Sequence, residues 1–247
     1  ERLARHADIT VRVDACGLQC PGPIMRLKAE SDKLPPGGTV VLSATDPGFA
    51  RDVQAWAGMT GNEIVSVESS GGIITAVIRK GSGKKASSSS TSDGATFIVF
   101  SDDMDKALAS FVLANGAASA GKKPTMFFTF WGLSVLKRRR KPAVRKDFMG
   151  RMFSMMLPGH LGDLSLSKMN FGGLGALMMK FRMKAKRVDQ LETMLDQALK
   201  AGVRLVACQM SMDIMGVNRE ELVDGVEIGG VATYMEAASG SNVNLFI

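Results

Sequence analysis

Three cysteines in 247 residues are too few for a disulfide framework, and free thiols point to a reducing, cytoplasmic compartment. The two histidines, His6 and His160, lie far in sequence from every cysteine, so zinc-ligand spacing is absent and no metal is expected. Asp163 and Asp213 have no carboxylate neighbour with which to divide acid and base roles. There is no Walker loop and no nicotinamide or flavin fingerprint. Gly172-Gly173-Leu174-Gly175 follows no predicted strand, which makes it a weak phosphate-loop candidate. No run reaches the roughly 18 uncharged apolar residues of a spanning helix. The opening residues do not read as a signal peptide, and a start at Glu1 rather than Met leads us to expect a piece of something longer.

What is present is ordinary globular material, 45% hydrophobic and 22% charged, enough for one large or two small domains. The most informative stretch is Asp14-Ala15-Cys16-Gly17-Leu18-Gln19-Cys20-Pro21-Gly22-Pro23-Ile24-Met25. It follows the alternating run Ile9-Thr10-Val11-Arg12-Val13, a predicted strand, and opens a predicted helix. Pro21 or Pro23 suits a first helical turn, where a missing N–H costs nothing. Cys20 therefore sits at a helix N-terminus, whose N–H groups and positive dipole end favour thiolate, the nucleophilic form.

The order Asp14, Gly17-Leu18, Cys20-Pro21-x-Pro23, helix resembles the signature of the TusA/SirA sulfur-carrier family. The resemblance implies that Cys20 carries sulfane sulfur as a persulfide. Cys16 is not the family's carrier residue; its four-residue offset makes it a candidate to resolve a Cys20 persulfide.

Residues 8–80 are expected to form a small βαβαββ two-layer sandwich. Its strands lie near 9–15, 39–44, 63–68 and 73–78, the last two joined by Ser69-Ser70-Gly71-Gly72. Its first helix spans about 22–33. Its second opens at Thr45-Asp46-Pro47, with Asp46 as N-cap and Phe49, Val53 and Trp56 on one face. Residues 81–94, rich in Gly, Ser and Lys, read as a flexible linker, able to raise the effective concentration of Cys20 at a second site.

Residues 95–247 alternate strands and helices, the signature of a doubly wound, mostly parallel three-layer α/β domain. Strands are predicted at 96–100, 125–130, 203–207 and 242–247. Helices are predicted at 102–118, with Leu108, Phe111 and Val112 inward, at 188–201 with a stop at Gly202, at 220–224 and at 231–238. Cys208 closes a predicted central strand at its carboxyl end, where ligands collect in such sheets. Strand, Cys208 and then a Met-rich turn, with Trp131-Gly132-Leu133 after the second strand, resembles the DsrE/DsrF-like sulfur-relay family. The resemblance implies that Cys208 accepts or hands on sulfane sulfur, with an oligomeric assembly. Ser211 and Gly229-Gly230 are candidates to line its pocket.

The net charge of +7 hides an asymmetry. Residues 137–187 hold fourteen Lys/Arg against two Asp/Glu, so the rest of the chain is net acidic. Eight of the 17 Met fall between Met149 and Met183, and Met suits adaptable contact surfaces. This insert reads first as a lid over Cys208 or a protein interface, second as a surface for an anionic membrane, and last as a nucleic-acid contact, since no base-reading module is visible. Lys137 to Lys141 also suits the phosphates of coenzyme A.

The expected function is sulfur transfer between Cys20 and Cys208, with donor and acceptor proteins or small thiols as partners and no cofactor. The resemblance also implies an upstream rhodanese-like or disulfide-reductase module. One alternative is a thiol-dependent reductase or sulfurtransferase fragment acting on coenzyme A persulfide or disulfide. Another is a non-catalytic protein that docks a membrane or partner through the insert.

Overall fold

The computed structural model describes residues 10–20, 22–81, 93–139, 144, 146 and 148–247. The expected linker lies almost wholly outside the described residues, as do His6, Pro21, Arg140 and Lys141. The chain divides into two compact units, residues 1–91 with 228–239, and residues 92–227 with 240–247.

The first unit carries β1 (Thr10–Asp14), α1 (Gly22–Lys33), β2 (Thr39–Ala44), α2 (Phe49–Thr60), β3 (Glu63–Ser70) and β4 (Ile73–Arg79). Its sheet order is β1-β2-β4-β3, with β1 parallel to β2 and the other pairs antiparallel. The βαβαββ expectation holds. The β3–β4 turn narrows to Gly71-Gly72, both at positive φ as a two-residue hairpin turn demands. One face of the sheet meets the helices in a core built on Leu27, Leu42, Phe49, Val53, Trp56 and Ile78. Phe49, Val53 and Trp56 repeat at helical spacing along α2, and each such side chain contributes ~1.5–3 kcal/mol on burial. Asp46 does not cap α2, which starts after Gly48; its carboxylate is used elsewhere, as described below. A further helix of this unit, α8 (Val231–Ser239), packs against α2.

The second unit is an α/β domain. It carries β5 (Gly94–Val99), α3 (Met104–Ser119), β6 (Lys123–Phe128), α4 (Phe148–Met156), α5 (Leu174–Ala185), α6 (Leu191–Lys200), β7 (Arg204–Cys208), α7 (Gln209–Met215) and β9 (Ser241–Phe246). Together with β8 (Glu227–Gly229) its sheet order is β8-β7-β6-β5-β9, and the β5–β6, β6–β7 and β5–β9 pairs are parallel. The strands read as apolar runs because both faces are covered.

Four local expectations need correction. Val112 points outward, and Met104, Ala107, Phe111 and Ala114 face the core of α3 instead. Residues 220–224 give only a 3-10 turn at Arg219–Glu221. Phe130 does not extend β6 but turns back at φ 49 into a 3-10 segment, Phe130–Leu136. The Met-rich stretch after Cys208 is a helix, α7, rather than a turn. Among the described residues, no helix is long and apolar enough to cross a membrane.

Candidate functional site

Cys20 lies two residues before α1, in a loop pinned from the β2–α2 connection. Thr45 Oγ1 accepts the Gly17 N–H at 2.9 Å, and Asp46 Oδ2 accepts the Cys20 N–H at 2.9 Å. Asp46 Oδ1 also takes the Gly48 N–H at 2.9 Å, so this carboxylate ties the cysteine loop to the start of α2. The Cys20 side chain is only 7% exposed. Its Sγ lies 3.5 Å from Asp52 Oδ2 of α2, toward which the thiol donates, and accepts the Val231 N–H at 3.3 Å. The other Asp52 oxygen accepts from Gly230 N at 2.9 Å, Thr233 N at 3.1 Å and the Thr233 hydroxyl.

This geometry overturns the expected acidic thiol. Burial pushes the Cys20 thiol up to about 12, the Asp52 and Asp46 carboxylates push the same way, and the Val231 N–H works against them. The helix N-terminus does not win, because desolvation and two nearby anions oppose thiolate together. A Cβ on Gly230 would come 2.5 Å from Cys20 Sγ and 2.1 Å from Asp52 Oδ2, so Gly230 lines the Cys20 site.

Cys16 is exposed and its thiol is free. The Asp14 carboxylate, which accepts the Cys16 N–H at 2.9 Å, raises that thiol. Cys16 borders a groove on the helix-free face of the small sheet, with Arg12, Val41, Ser43 and Ile73.

Cys208 ends β7 and stands at the first turn of α7, 5% exposed and free. Thr129, just past β6, shares a 2.7 Å hydrogen bond with Ser211 of α7, which joins two carboxyl ends of the sheet beside it. Gln209 is buried and donates to Asp213 Oδ1 at 2.8 Å. The insert reaches this place through α4. Gly150 of α4 lies against Gly216 at the end of α7. The Lys146 ammonium meets Glu221 Oε2 at 2.6 Å, the Gly216 carbonyl at 2.7 Å and Ser154 Oγ.

Part of the basic run is spent inside the fold. Lys137 is buried and donates to the Pro158 carbonyl, and Arg138 binds the Leu222 carbonyl and Asp224. Lys137 is thereby withdrawn from a phosphate, whereas the Arg138 side chain stays 36% exposed. His160 is not isolated in space but lies 2.6 Å from Asp163. Among the described residues, no three His, Cys, Asp or Glu side chains converge as a metal site.

The sequence reading missed Asp52, Thr233 and Val231 around Cys20. An Asp inside the first turn of an amphipathic helix reads as a solvated dipole partner, and only its 1% exposure reveals otherwise. A cluster of Phe100, Phe130, Trp131 and Phe246 rings at the carboxyl ends of β5, β6 and β9 was missed too.

A βαβαββ unit with a thiol just before its first helix, followed by a parallel α/β domain with a thiol at a strand's carboxyl end, is the arrangement expected of a sulfur-carrier domain followed by a sulfur-relay domain. Comparison with known proteins agrees: residues 92–246 match the DsrE/DsrF/DrsH-like family and residues 11–80 match Sulfurtransferase TusA. The chain belongs to the DsrE/DsrF/DrsH-like family and carries a TusA domain ahead of that region. Uncharacterized protein YrkE of Bacillus subtilis is 43% identical over 62% of this chain and 95% of its own length. Sulfur carrier protein DsrE2 of Allochromatium vinosum is 34% identical over 58% of this chain and 91% of its own. Sulfur carrier protein TusA of the same organism is 39% identical over 30% of this chain and 97% of its own. Sulfur transfer is thus the function of the chain, with sulfur donors and acceptors as its partners.

Proposed function

We propose that Cys20 and Cys208 are the two stations of a persulfide relay. In the first step the Cys20 thiolate attacks a sulfane sulfur of the donor. An Sγ–S bond forms, the donor's S–S bond breaks, and the donor leaves with the electron pair. In the second step the Cys208 thiolate attacks the outer sulfur, the Cys20–sulfur bond breaks, and Cys20 leaves as thiolate. Neither step consumes an oxidant or reductant, and both depend on thiolate fraction and leaving-group quality. The observation that carries this reading is the occurrence, in one chain, of Cys20 at the start of α1 and Cys208 at the carboxyl end of β7. Free thiols in all three positions suit a cytoplasmic setting.

The test is mass spectrometry of the reduced chain after incubation with polysulfide, beside Cys20→Ala and Cys208→Ala. We expect one added sulfur on Cys20, and label on Cys208 that falls at least about tenfold in Cys20→Ala. Label on Cys208 unchanged in Cys20→Ala would overturn the relay order.

The exposed face of the insert supports a second reading, attachment to an anionic lipid surface. Leu174, Leu177, Met178 and Phe181 form an exposed stripe along α5, and α4 presents Phe148 at 82% and Met155 at 88% exposure. Arg151, Lys168, Arg182 and Lys184 neighbour them in sequence, and the segment from Leu164 to Val188 holds no acidic residue. Apolar residues with a basic surround fit a helix lying in the headgroup plane. In flotation with vesicles, the chain should bind phosphatidylserine-containing vesicles about tenfold better than purely zwitterionic ones, and Phe181→Glu should abolish the difference. Equal binding to both, or none, would sink this reading and favour a face between copies of the chain.

A further inference from the structure

Residues 228–239 do more for the first unit than add a helix. The Gly230-Val231 turn closes directly over Cys20, and Asp52 holds it there by accepting three donors on one oxygen: Gly230 N–H, Thr233 N–H and the Thr233 hydroxyl. Asp52 is 1% exposed, and Thr233 is fully buried. A carboxylate at a helix N-terminus, hydrogen-bonded to its free N–H groups, is a charge-assisted cap. Here the capping residue comes from α2, so the same contact serves as a latch. The remaining Asp52 oxygen takes the Cys20 thiol at 3.5 Å.

Every part of this arrangement suits an unloaded thiol and opposes a loaded one. Gly230 approaches Sγ so closely that a Cβ would fall 2.5 Å from it. A persulfide places its outer sulfur about 2.05 Å beyond Sγ. Asp52, Gly230 and Val231 already stand against that sulfur. The neutral thiol donates to Asp52, whereas a persulfide anion has no proton to donate and meets the Asp52 and Asp46 carboxylates as like charge. The buried, proton-holding thiol is also a weak nucleophile and a poor leaving group, so transfer requires the closed form to open.

We propose that residues 228–239 form a cap whose position reports the sulfur state of Cys20, seated over the free thiol and displaced by the persulfide. Loading proceeds through transient opening of the cap, a local motion of the kind amide exchange detects. Once sulfur is on Cys20, volume and charge together keep the cap off, and the cargo stays exposed until it is passed on. When the sulfur leaves, the thiol regains its proton and the cap reseats. The inference rests on Cys20 as the carrier.

The test is hydrogen exchange of the 229–239 amides in the full chain in three states: reduced, polysulfide-treated, and treated with methyl methanethiosulfonate. The last attaches a CH3–S group to a thiol and releases methanesulfinate, without any carrier activity. Peptide mass spectrometry establishes which cysteine is modified. We expect Val231 and Thr233 to be protected in the reduced chain, and to exchange at least about tenfold faster once Cys20 bears sulfur from either reagent. If Cys20 takes the thiomethyl group and the cap opens, but polysulfide leaves Cys20 bare, the cap stands and the carrier reading falls. If Cys20 gains sulfur and exchange does not change, the cap proposal is overturned, as it is if those amides are unprotected from the start. Gly230→Ala provides a second arm. It should unseat the cap in the reduced chain and speed alkylation of Cys20 by about tenfold or more, with α1 and β1–β4 still protected. An unchanged Cys20 rate in that variant would also overturn the proposal.

Discussion

Glu221→Gln is expected to destabilise the second unit by about 3 kcal/mol, the lower end of the cost of breaking a buried ion pair. Lys146 and Glu221 meet at 2.6 Å, with side chains only 9% and 13% exposed. Glu221 also accepts the Asn218 N–H in a capping box, and Gln preserves that bond. The substitution therefore isolates the charge. Removing it leaves an ammonium out of water with a carbonyl and a hydroxyl but no counter-charge. The natural comparison is Asp224→Asn, which breaks the Arg138 bridge on a side chain 97% exposed and should cost less than ~1 kcal/mol. Calorimetry of both variants checks the contrast. Because Lys146 bonds the Gly216 carbonyl at the end of α7, losing its partner also loosens the place where Cys208 is held. Alkylation of Cys208 should rise by about tenfold in Glu221→Gln and stay unchanged in Asp224→Asn. Adding Lys146→Met to Glu221→Gln should restore most of the loss, since the capping bond is kept and no unpaired charge is left out of water. A Glu221→Gln effect no larger than that of Asp224→Asn would show that this pair does not hold α4 to α7.

The contrast between these two bridges also marks where the sequence stops being readable. Periodicity located the elements because it depends only on neighbours in the chain. Phe49, Val53 and Trp56 announce α2, and the apolar strands announce the parallel sheet. The Cys20-Pro21-Gly22-Pro23 signature located the thiol, and the end of β7 located Cys208. What surrounds each thiol comes from elsewhere in the chain and leaves no local mark. Asp52 precedes its partner Gly230 by 178 residues, and Lys146 precedes Gly216 by 70. Asp46 shows the same limit on a smaller scale. Asp46-Pro47 is a sound N-cap signal, but the carboxylate receives the Cys20 and Gly48 N–H groups, and α2 starts after Gly48. The thiolate expectation failed for the same reason, because a helix N-terminus is visible in sequence, whereas burial and two distant carboxylates are not.

Gly216→Ala is the second change expected to have a large effect, and Gly121→Ala is its control. Both glycines sit in the left-handed region, Gly216 at φ +62 and Gly121 at φ +80. An alanine pays roughly 1–2 kcal/mol for that conformation at either position. They differ in surroundings. A Cβ on Gly121 meets nothing within 4 Å, whereas one on Gly216 falls 2.4 Å from the Gly150 Cα. The atom in the way is backbone, with no side chain to rotate aside, so α4 or the end of α7 must move. Overpacking of that kind adds about 1–3 kcal/mol. At about 2–4 °C per kcal/mol for a chain of this size, Gly121→Ala should lower the melting temperature by a few degrees and Gly216→Ala by about twice as much. The two variants should separate further in Cys208 reactivity. Gly121 lies at the far end of α3 and should leave the Cys208 alkylation rate unchanged, while Gly216→Ala parts α4 from α7 and should raise it. Equal losses in both would mean that the left-handed turn alone sets the cost, and that the close approach of Gly150 to Gly216 has no part in sheltering the second thiol.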